Sequence, residues 1–286
     1  MKKYHAPKLR AEAKHVVLYR QLRVFAYLAL GGFPIFAAEP VATPAPGPRE
    51  ELHAAQLMEA ALFARQAGAE DWKKMDAIFA GLKAKYPRNV EIINGHAEFL
   101  WSIEQRQRAM ETWLAAEKID PANATVLDHL GGGYVSIGEV RKAAGYYRRA
   151  VASVPQDAAA HFAYANVLFT FRHDLLDGSH ADAAAVLDEA LREFSEAARL
   201  EPHDANYARA FAETFYSMPL PDWRAALAAW EHFYELTPQK DFALLNLARV
   251  HLKLGEKPEA RAKLDLIQSA EYSRLKEKLT EQTGKE

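Results

Sequence analysis

Apolar residues recur with helical spacing along most of the chain, in stretches that end at prolines. The segments LKAKYP, AEKIDP, VASVP, AARLEP and FYELTP each close such a stretch. A proline disfavours helix at the residue before it, so each of these prolines is a natural helix end. They are Pro87, Pro121, Pro155, Pro202 and Pro238. The pattern predicts a chain made almost entirely of helices, in units closed by these prolines.

The spacing of the prolines indicates an internal repeat. The first three prolines are 34 residues apart, the fourth follows after 47 and the fifth after 36. The fourth unit therefore carries 13 extra residues and the fifth carries two. A period of this length is typical of helical hairpins that stack on one another. Registered on the prolines, the units span about 54–87, 88–121, 122–155, 156–202, 203–238 and 239–272.

Small residues recur at matching positions on the two helices of each unit. In the third unit they are Gly131 and Ala143, twelve positions apart, and the large Tyr147 follows four positions later. Two antiparallel helices can approach closely only where their side chains are small. Because one pair cannot bury both of its faces, the units must stack into a solenoid.

Two stretches of the chain resemble the tetratricopeptide-repeat signature. They are LDHLGGGYVSIGEVRKAAGYYRRAVASVP, residues 127–155, and LLNLARVHLKLGEKPEARAKL, residues 244–264. The resemblance covers about residues 54–272 and departs most in the first unit, where Phe63 replaces a small residue although Phe79 keeps the aromatic position. It implies an all-α, right-handed α-solenoid of about six helix-turn-helix repeats within residues 52–286, closed by a capping helix at about 273–282.

In this family the first helix of each pair lines a concave groove, so the resemblance implies a protein or peptide partner held there. Exposed rings beside amides and arginines suit an extended peptide. The set of Lys, Asn and Arg with which some members grip a C-terminal carboxylate is not reproduced here. Whether the rings bind a partner or are buried by curvature stays open. The candidate groove residues are Asn94, Trp101, Asp128, Phe162, Asn166, Phe169, Arg209, Tyr216, Phe242 and Arg249.

The triplet at residues 131–133 raises the alternative of a phosphate-binding glycine loop. No Lys-Ser/Thr pair follows it and no strand precedes it, so a nucleotide loop is not supported. Gly131 is the predicted small contact residue. Gly132 and Gly133 are interpreted as tolerated helix glycines, with the alternative that Gly132 leaves room for a ligand's main chain. No catalytic motif of a hydrolase is present either, so we predict a non-catalytic binding protein without a cofactor.

The extra residues of the fourth unit include a group of metal-ligating types within 172–182. Such residues could serve a metal-dependent hydrolase, but no recognised ligand spacing is present, and turn and capping roles explain the same types. We expect Ser179 to cap the following helix, and Asp222 to cap the second helix of the fifth unit. A self-assembling oligomer joined through the solenoid ends is a further alternative. The group consists of His173, Asp174, Asp177, His180 and Asp182.

The first 38 residues differ from the rest of the chain. Seven basic residues and one acidic residue precede VFAYLALGGFPIFAA, residues 24–38, which carries no charge. Fifteen residues are short of the roughly 20 that span a membrane. The order of basic, apolar and small residues indicates a secretory signal, with a retained membrane anchor as the alternative. We therefore expect export to the bacterial periplasm or cell envelope, or anchoring by residues 24–38. Residues 39–51 contain four prolines and are predicted to form an extended linker.

Charge and cysteine content exclude further classes of function. The chain has no cysteine, which excludes disulfides, a thiol nucleophile and thiolate metal sites. Without residues 1–38, 29 basic and 37 acidic residues remain, a net charge near −8. An acidic body argues against a nucleic-acid partner, because phosphates require a basic surface.

Overall fold

The computed structural model describes residues 46–176 and 182–284, and this part of the chain is helical without any strand. The described part holds thirteen α-helices and two short 3-10 turns, at Phe215–Ser217 and Ala270–Tyr272. In chain order the helices are α1 Pro48–Ala64, α2 Ala69–Lys85, α3 Val90–Ser102, α4 Arg106–Ile119, α5 Ala124–Ser136, α6 Val140–Ser153, α7 Ala158–Thr170, α8 Ala183–Leu200, α9 Ala205–Thr214, α10 Trp223–Leu236, α11 Lys240–Lys253, α12 Lys257–Asp265 and α13 Ser273–Gly284.

The helices pack in chain order, each mainly against the helix before it and the helix after it. Helices α1 to α12 form six consecutive hairpins, and α13 packs on the last one. All five prolines of the repeat lie in the turn after the second helix of a unit. The predicted all-α solenoid of about six units with a C-terminal capping helix is therefore confirmed.

Small residues form the contact between the two helices of each unit, as predicted. A Cβ atom added at Gly131 would lie 2.8 Å from ring atoms of Tyr147, so only glycine fits this crossing. At the same position of other units stand alanines with no exposed surface, among them Ala97, Ala165 and Ala212. The tight contacts explain why small residues recur at this position, because a larger side chain here would push the helices apart.

The other two glycines of the triplet differ from each other. A Cβ at Gly133 would overlap the thioether of Met110 on α4, so Gly133 has a packing reason that the sequence analysis missed. Gly132 is half-buried, and the nearest atom to an added Cβ would be the Tyr147 hydroxyl at 3.4 Å. Only Gly132 thus fits the interpretation of a tolerated glycine.

The first unit begins earlier than the repeat predicted, and the linker prediction is wrong at its end. Residues 48–51 were expected to be extended, but they form the first turn of α1. Proline is well suited to the first position of a helix, where its missing N–H would have no partner anyway. The Glu50 carboxylate accepts the backbone N–H of Gly47 at 2.7 Å, which fixes this start. Phe63 is 39% exposed and contacts Trp72, as a terminal repeat allows, while Phe79 is fully buried.

The helix after the insertion begins with a different cap from the predicted one. Asp182 caps α8 by accepting the backbone N–H of Ala185 at 2.9 Å, whereas Ser179 lies outside the described residues. With 18 residues α8 is about one turn longer than α6 and α10, which have 14 each. The predicted cap at Asp222 is confirmed, because its side chain accepts the N–H groups of Arg224 and Ala225.

The expectations for the N-terminal segment, a signal or anchor in residues 1–38, lie outside the described residues. None of the helices in the described ranges is both long enough and apolar enough to span a membrane.

Candidate functional site

Nine of the ten predicted groove residues lie on the first helices of units 2 to 6, and Tyr216 lies in the 3-10 turn that follows α9. Their contacts divide the ten residues into groups. Each group surrounds the aromatic side chain that stands at one repeated position of the second helix. Asn166, Arg209 and Arg249 are exposed, and the other seven are half-buried. Partner binding by this set stays a prediction. The central aromatic residues are Trp113 in unit 2, Tyr147 in unit 3, Phe194 in unit 4 and Trp230 in unit 5.

In unit 2 the group is polar and internally satisfied. The indole N–H of Trp113 donates to Asn94 Oδ1 at 2.9 Å, and the ring centroids of Trp113 and Trp101 are 5.4 Å apart. Asn94 in turn donates to Glu98 Oε1 at 3.1 Å. The same oxygen lies 2.6 Å from His129 Nε2, whose ring stacks on Trp113. These contacts hold both predicted residues in fixed orientations.

In units 3 and 4 the group is mainly apolar. Burial, together with the nearby Asp128 carboxylate, raises the pKa of Tyr147 well above its ordinary value. The rings of Phe162 and Phe169 both contact Phe194, with centroids 5.6 and 6.2 Å away. Phe162 therefore packs against the second helix of its own unit and is neither fully buried nor freely exposed. Asn166 is exposed, and its side-chain amide donates to the Phe162 carbonyl oxygen.

The last group joins units 5 and 6 through two arginines. The guanidinium of Arg209 lies over the ring of Phe242, 4.7 Å from its centroid, and that of Arg249 lies 4.4 Å from the centroid of Tyr216. Each arginine thus stacks on a ring carried by the neighbouring unit. Burial raises the pKa of Tyr216 to about 12, so its hydroxyl stays protonated and donates to the Asn246 carbonyl at 3.2 Å.

The metal-ligand alternative gains no geometric support in the described part of the chain. His173 and Asp174 lie exposed in the turn after α7, and Asp182 acts as a helix cap. Asp177 and His180 lie outside the described residues. Within residues 46–176 and 182–284, no group of three His, Asp or Glu side chains is placed to hold a metal ion.

Glu59 on α1, an acid inside the apolar run LMEAALF, was not among the predicted residues. Its carboxylate accepts the Ser102 hydroxyl at 3.1 Å. Burial and the negative charge of Glu98 raise the pKa of Glu59 to about 7, although the Ser102 hydrogen bond opposes the change. The signal in the sequence that could have indicated this partly buried carboxyl is a single acid in an otherwise apolar segment.

The raised pKa of Glu59 predicts a pH-dependent stability. Between its ordinary pKa of 4.5 and about 7, the carboxyl group ionises in the unfolded chain but stays neutral in the folded one. The free energy of unfolding therefore keeps the full contribution of the neutral Glu59 carboxyl below pH 4.5. This contribution is lost as the pH rises toward 7. We expect Glu59→Gln to raise the free energy of unfolding by about 2 kcal/mol at pH 8 and to leave it nearly unchanged at pH 4.5.

Urea unfolding of both proteins at pH 4.5, 6 and 8 measures this difference. Glu70→Gln, an exposed acid of α2, is the matched control and should show no pH-dependent gain. An equal effect of Glu59→Gln at all three pH values would contradict the assignment.

No protein-family model matches the sequence, and no curated protein matches it. Two of the solved structures that are similar to this chain are YrrB and PilF. YrrB is 17% identical, with 65% of this chain and 89% of YrrB covered, at a TM-score of 0.53. PilF of Pseudomonas aeruginosa is 15% identical, with 82% of this chain and all of the PilF chain covered, at a TM-score of 0.54. Both are tetratricopeptide-repeat proteins, and likeness at such low identity concerns the fold. The chain therefore has the fold of the tetratricopeptide-repeat proteins.

Proposed function

We propose that this chain is a non-catalytic scaffold that holds an extended segment of a partner protein against the inner-face residues of its first helices. The observation that supports this proposal most is the alternation of exposed polar groups with half-buried rings along α7, α9 and α11. Asn166, Arg209 and Arg249 offer hydrogen bonds, and the neighbouring rings are fixed by the second helices. Rings held in place give contact area at a low cost in conformational entropy.

The similarity to YrrB adds general support for the binding of a peptide. YrrB is described as a TPR protein with an unusual peptide-binding site. A stacked array of hairpins offers a long continuous surface, which suits an extended ligand better than a small compact one. We extend peptide binding to this chain as a proposal, since a shared fold does not fix a function.

We further propose that the scaffold works outside the cytoplasm, in the bacterial periplasm or cell envelope. Support comes from the basic, apolar and small residues in sequence at 1–38 and from the absence of cysteine. If the apolar stretch is retained, it tethers the scaffold to a membrane.

The double variant Phe162→Ala with Arg249→Ala tests the proposed binding face. We expect it to abolish capture of the partner, identified by crosslinking in the native cell and mass spectrometry, because it removes a ring and a cation from two different units. Circular dichroism should show unchanged helix content.

The matched control is Phe63→Ala with Arg261→Ala. It removes the same two residue types from the first helix of unit 1 and the second helix of unit 6. If the inner-face variant captures the same proteins as the wild type, or if the control variant loses them equally, the proposed face is wrong.

A further inference from the structure

Three cations lie over the rings of one connected aromatic cluster at the junction of units 5 and 6. Besides the pairs Arg209–Phe242 and Arg249–Tyr216, the ammonium of Lys253 lies 5.8 Å from the ring centroid of Trp223. All three cations belong to exposed residues. We name this surface the cationic platform, made of Arg209, Arg249 and Lys253 and of the rings of Tyr216, Trp223, Trp230 and Phe242.

The rings of the cationic platform form one connected layer. Tyr216 lies between Trp223 and Trp230, with centroid distances of 5.8 and 6.0 Å. Trp230 continues to Phe242 at 5.8 Å. A cation stacked on a ring keeps its orientation at little further cost in entropy, so the platform presents prearranged positive groups.

The platform also contains a buried donor that lacks an acceptor. Trp230 has no exposed surface, and its indole N–H has no hydrogen-bond partner within the described residues. Trp113, at the same position of unit 2, donates to Asn94. In unit 5 the position of Asn94 is taken by Arg209, which is a donor only. The indole of Trp230 therefore has no side-chain acceptor at the position that serves Trp113.

Only one cation of the platform is paired with a carboxylate among the described residues. Glu213 pairs with Arg209 at 2.8 Å. Arg249 bonds to the neutral amide oxygen of Asn246 at 3.1 Å, and no described carboxylate lies within ion-pair distance of Arg249 or Lys253. Two of the three cations thus have no carboxylate partner among the described residues, on a chain whose net charge is −2. The platform is therefore a local positive surface on an acidic protein.

We infer that the cationic platform binds an acidic stretch of the partner, an extended segment whose side-chain carboxylates face the guanidinium groups. This inference rests on the proposed function and names the chemistry of the partner. Carboxylates supply the acceptors that the platform lacks, and paired guanidinium contacts are strong and directional. Nucleic acid is disfavoured because a phosphate backbone requires an extended basic surface, whereas the platform offers three cations.

Fluorescence anisotropy with the full chain tests the inference. The probe is a fluorescein-labelled decapeptide of alternating Asp and Ser with an amidated C-terminus, in which all carboxylates lie on one side when the peptide is extended. The reference is the same peptide with Asn in place of Asp. We expect the acidic peptide to bind at least tenfold more tightly, and Arg209→Gln with Arg249→Gln to remove this preference.

The control variant Arg199→Gln with Arg261→Gln removes the same charge from second helices and should change the affinity less than twofold. Arg199 and Arg261 are exposed and lie on α8 and α12. A second readout is the indole N–H resonance of Trp230, assigned with Trp230→Phe. It should shift when the acidic peptide is added, while that of Trp113 should not.

Equal binding of the acidic and neutral peptides overturns the inference, as does an equal loss in the control variant or tighter binding of a ten-residue oligothymidylate. The proposed function is judged separately by partner capture with Phe162→Ala and Arg249→Ala. If the peptides fail while that variant still loses its partner, only the acidic preference is wrong. If capture is unchanged as well, both proposals are wrong.

Discussion

Trp230→Ala is expected to lower the free energy of unfolding by about 4 kcal/mol. The ring is fully buried and contacts Tyr216, Phe233 and Phe242, so its loss opens a cavity where units 5 and 6 meet. Urea unfolding followed by circular dichroism measures the change, and a loss below about 1 kcal/mol would contradict the assigned role.

The phenylalanine variants provide the matched comparison. Trp230→Phe keeps most of the ring and removes a donor that has no acceptor among the described residues, so we expect a cost of about 1–2 kcal/mol. Trp113→Phe removes the same atoms and also the hydrogen bond to Asn94, so it should cost about 1 kcal/mol more. If the two variants cost the same, the different hydrogen bonding of the two indoles has no effect on stability.

Gly131→Leu is expected to destabilise the protein by about 3 kcal/mol. Even a Cβ at this position would lie 2.8 Å from the Tyr147 ring, and that ring cannot retreat because Tyr147 is itself buried. The helices α5 and α6 must separate, which also disturbs their contacts with the neighbouring units.

The adjacent glycine is the control for this prediction. Gly132→Ala meets only the Tyr147 hydroxyl, at 3.4 Å, and replaces a poor helix former with the best one. We expect it to stabilise the protein by up to about 1 kcal/mol. Thermal unfolding of both variants should therefore give shifts of opposite sign, and a fall in Tm for Gly132→Ala would show that the space at this position is needed.

The repeat architecture could be predicted from the sequence because local rules agree with one another. Prolines end the second helices, alanines or Gly131 stand at the crossings, and acids such as Asp222 begin helices. Each of these signals can be read from a short stretch of sequence, because its effect depends only on residues nearby in the chain. The start of α1 at Pro48 was missed because a proline favours an extended chain in one context and the first turn of a helix in another.

The candidate site could be predicted only in part. Repeat register placed the ten residues on the first helices, but register does not show what each side chain contacts. The stacking of Arg249 on Tyr216 and the unpaired N–H of Trp230 depend on side-chain directions in neighbouring units. The raised pKa of Glu59 likewise depends on a contact between units. Glu59 lies in unit 1, and only the fold brings it close to Glu98 and Ser102 of unit 2.

Helix α13 has a consequence for the kinetics of the molecule. None of its residues is buried. Leu279 packs against the apolar cluster that includes Leu264, and Lys276 donates a hydrogen bond to the Ile267 carbonyl oxygen. Such an element opens at low free-energy cost, so its amide protons should exchange with solvent long before those of α11. Because α13 packs directly on α11, each opening of α13 removes support from the helix that carries Phe242 and Arg249. The rate at which the proposed partner segment dissociates would then depend on how often α13 opens.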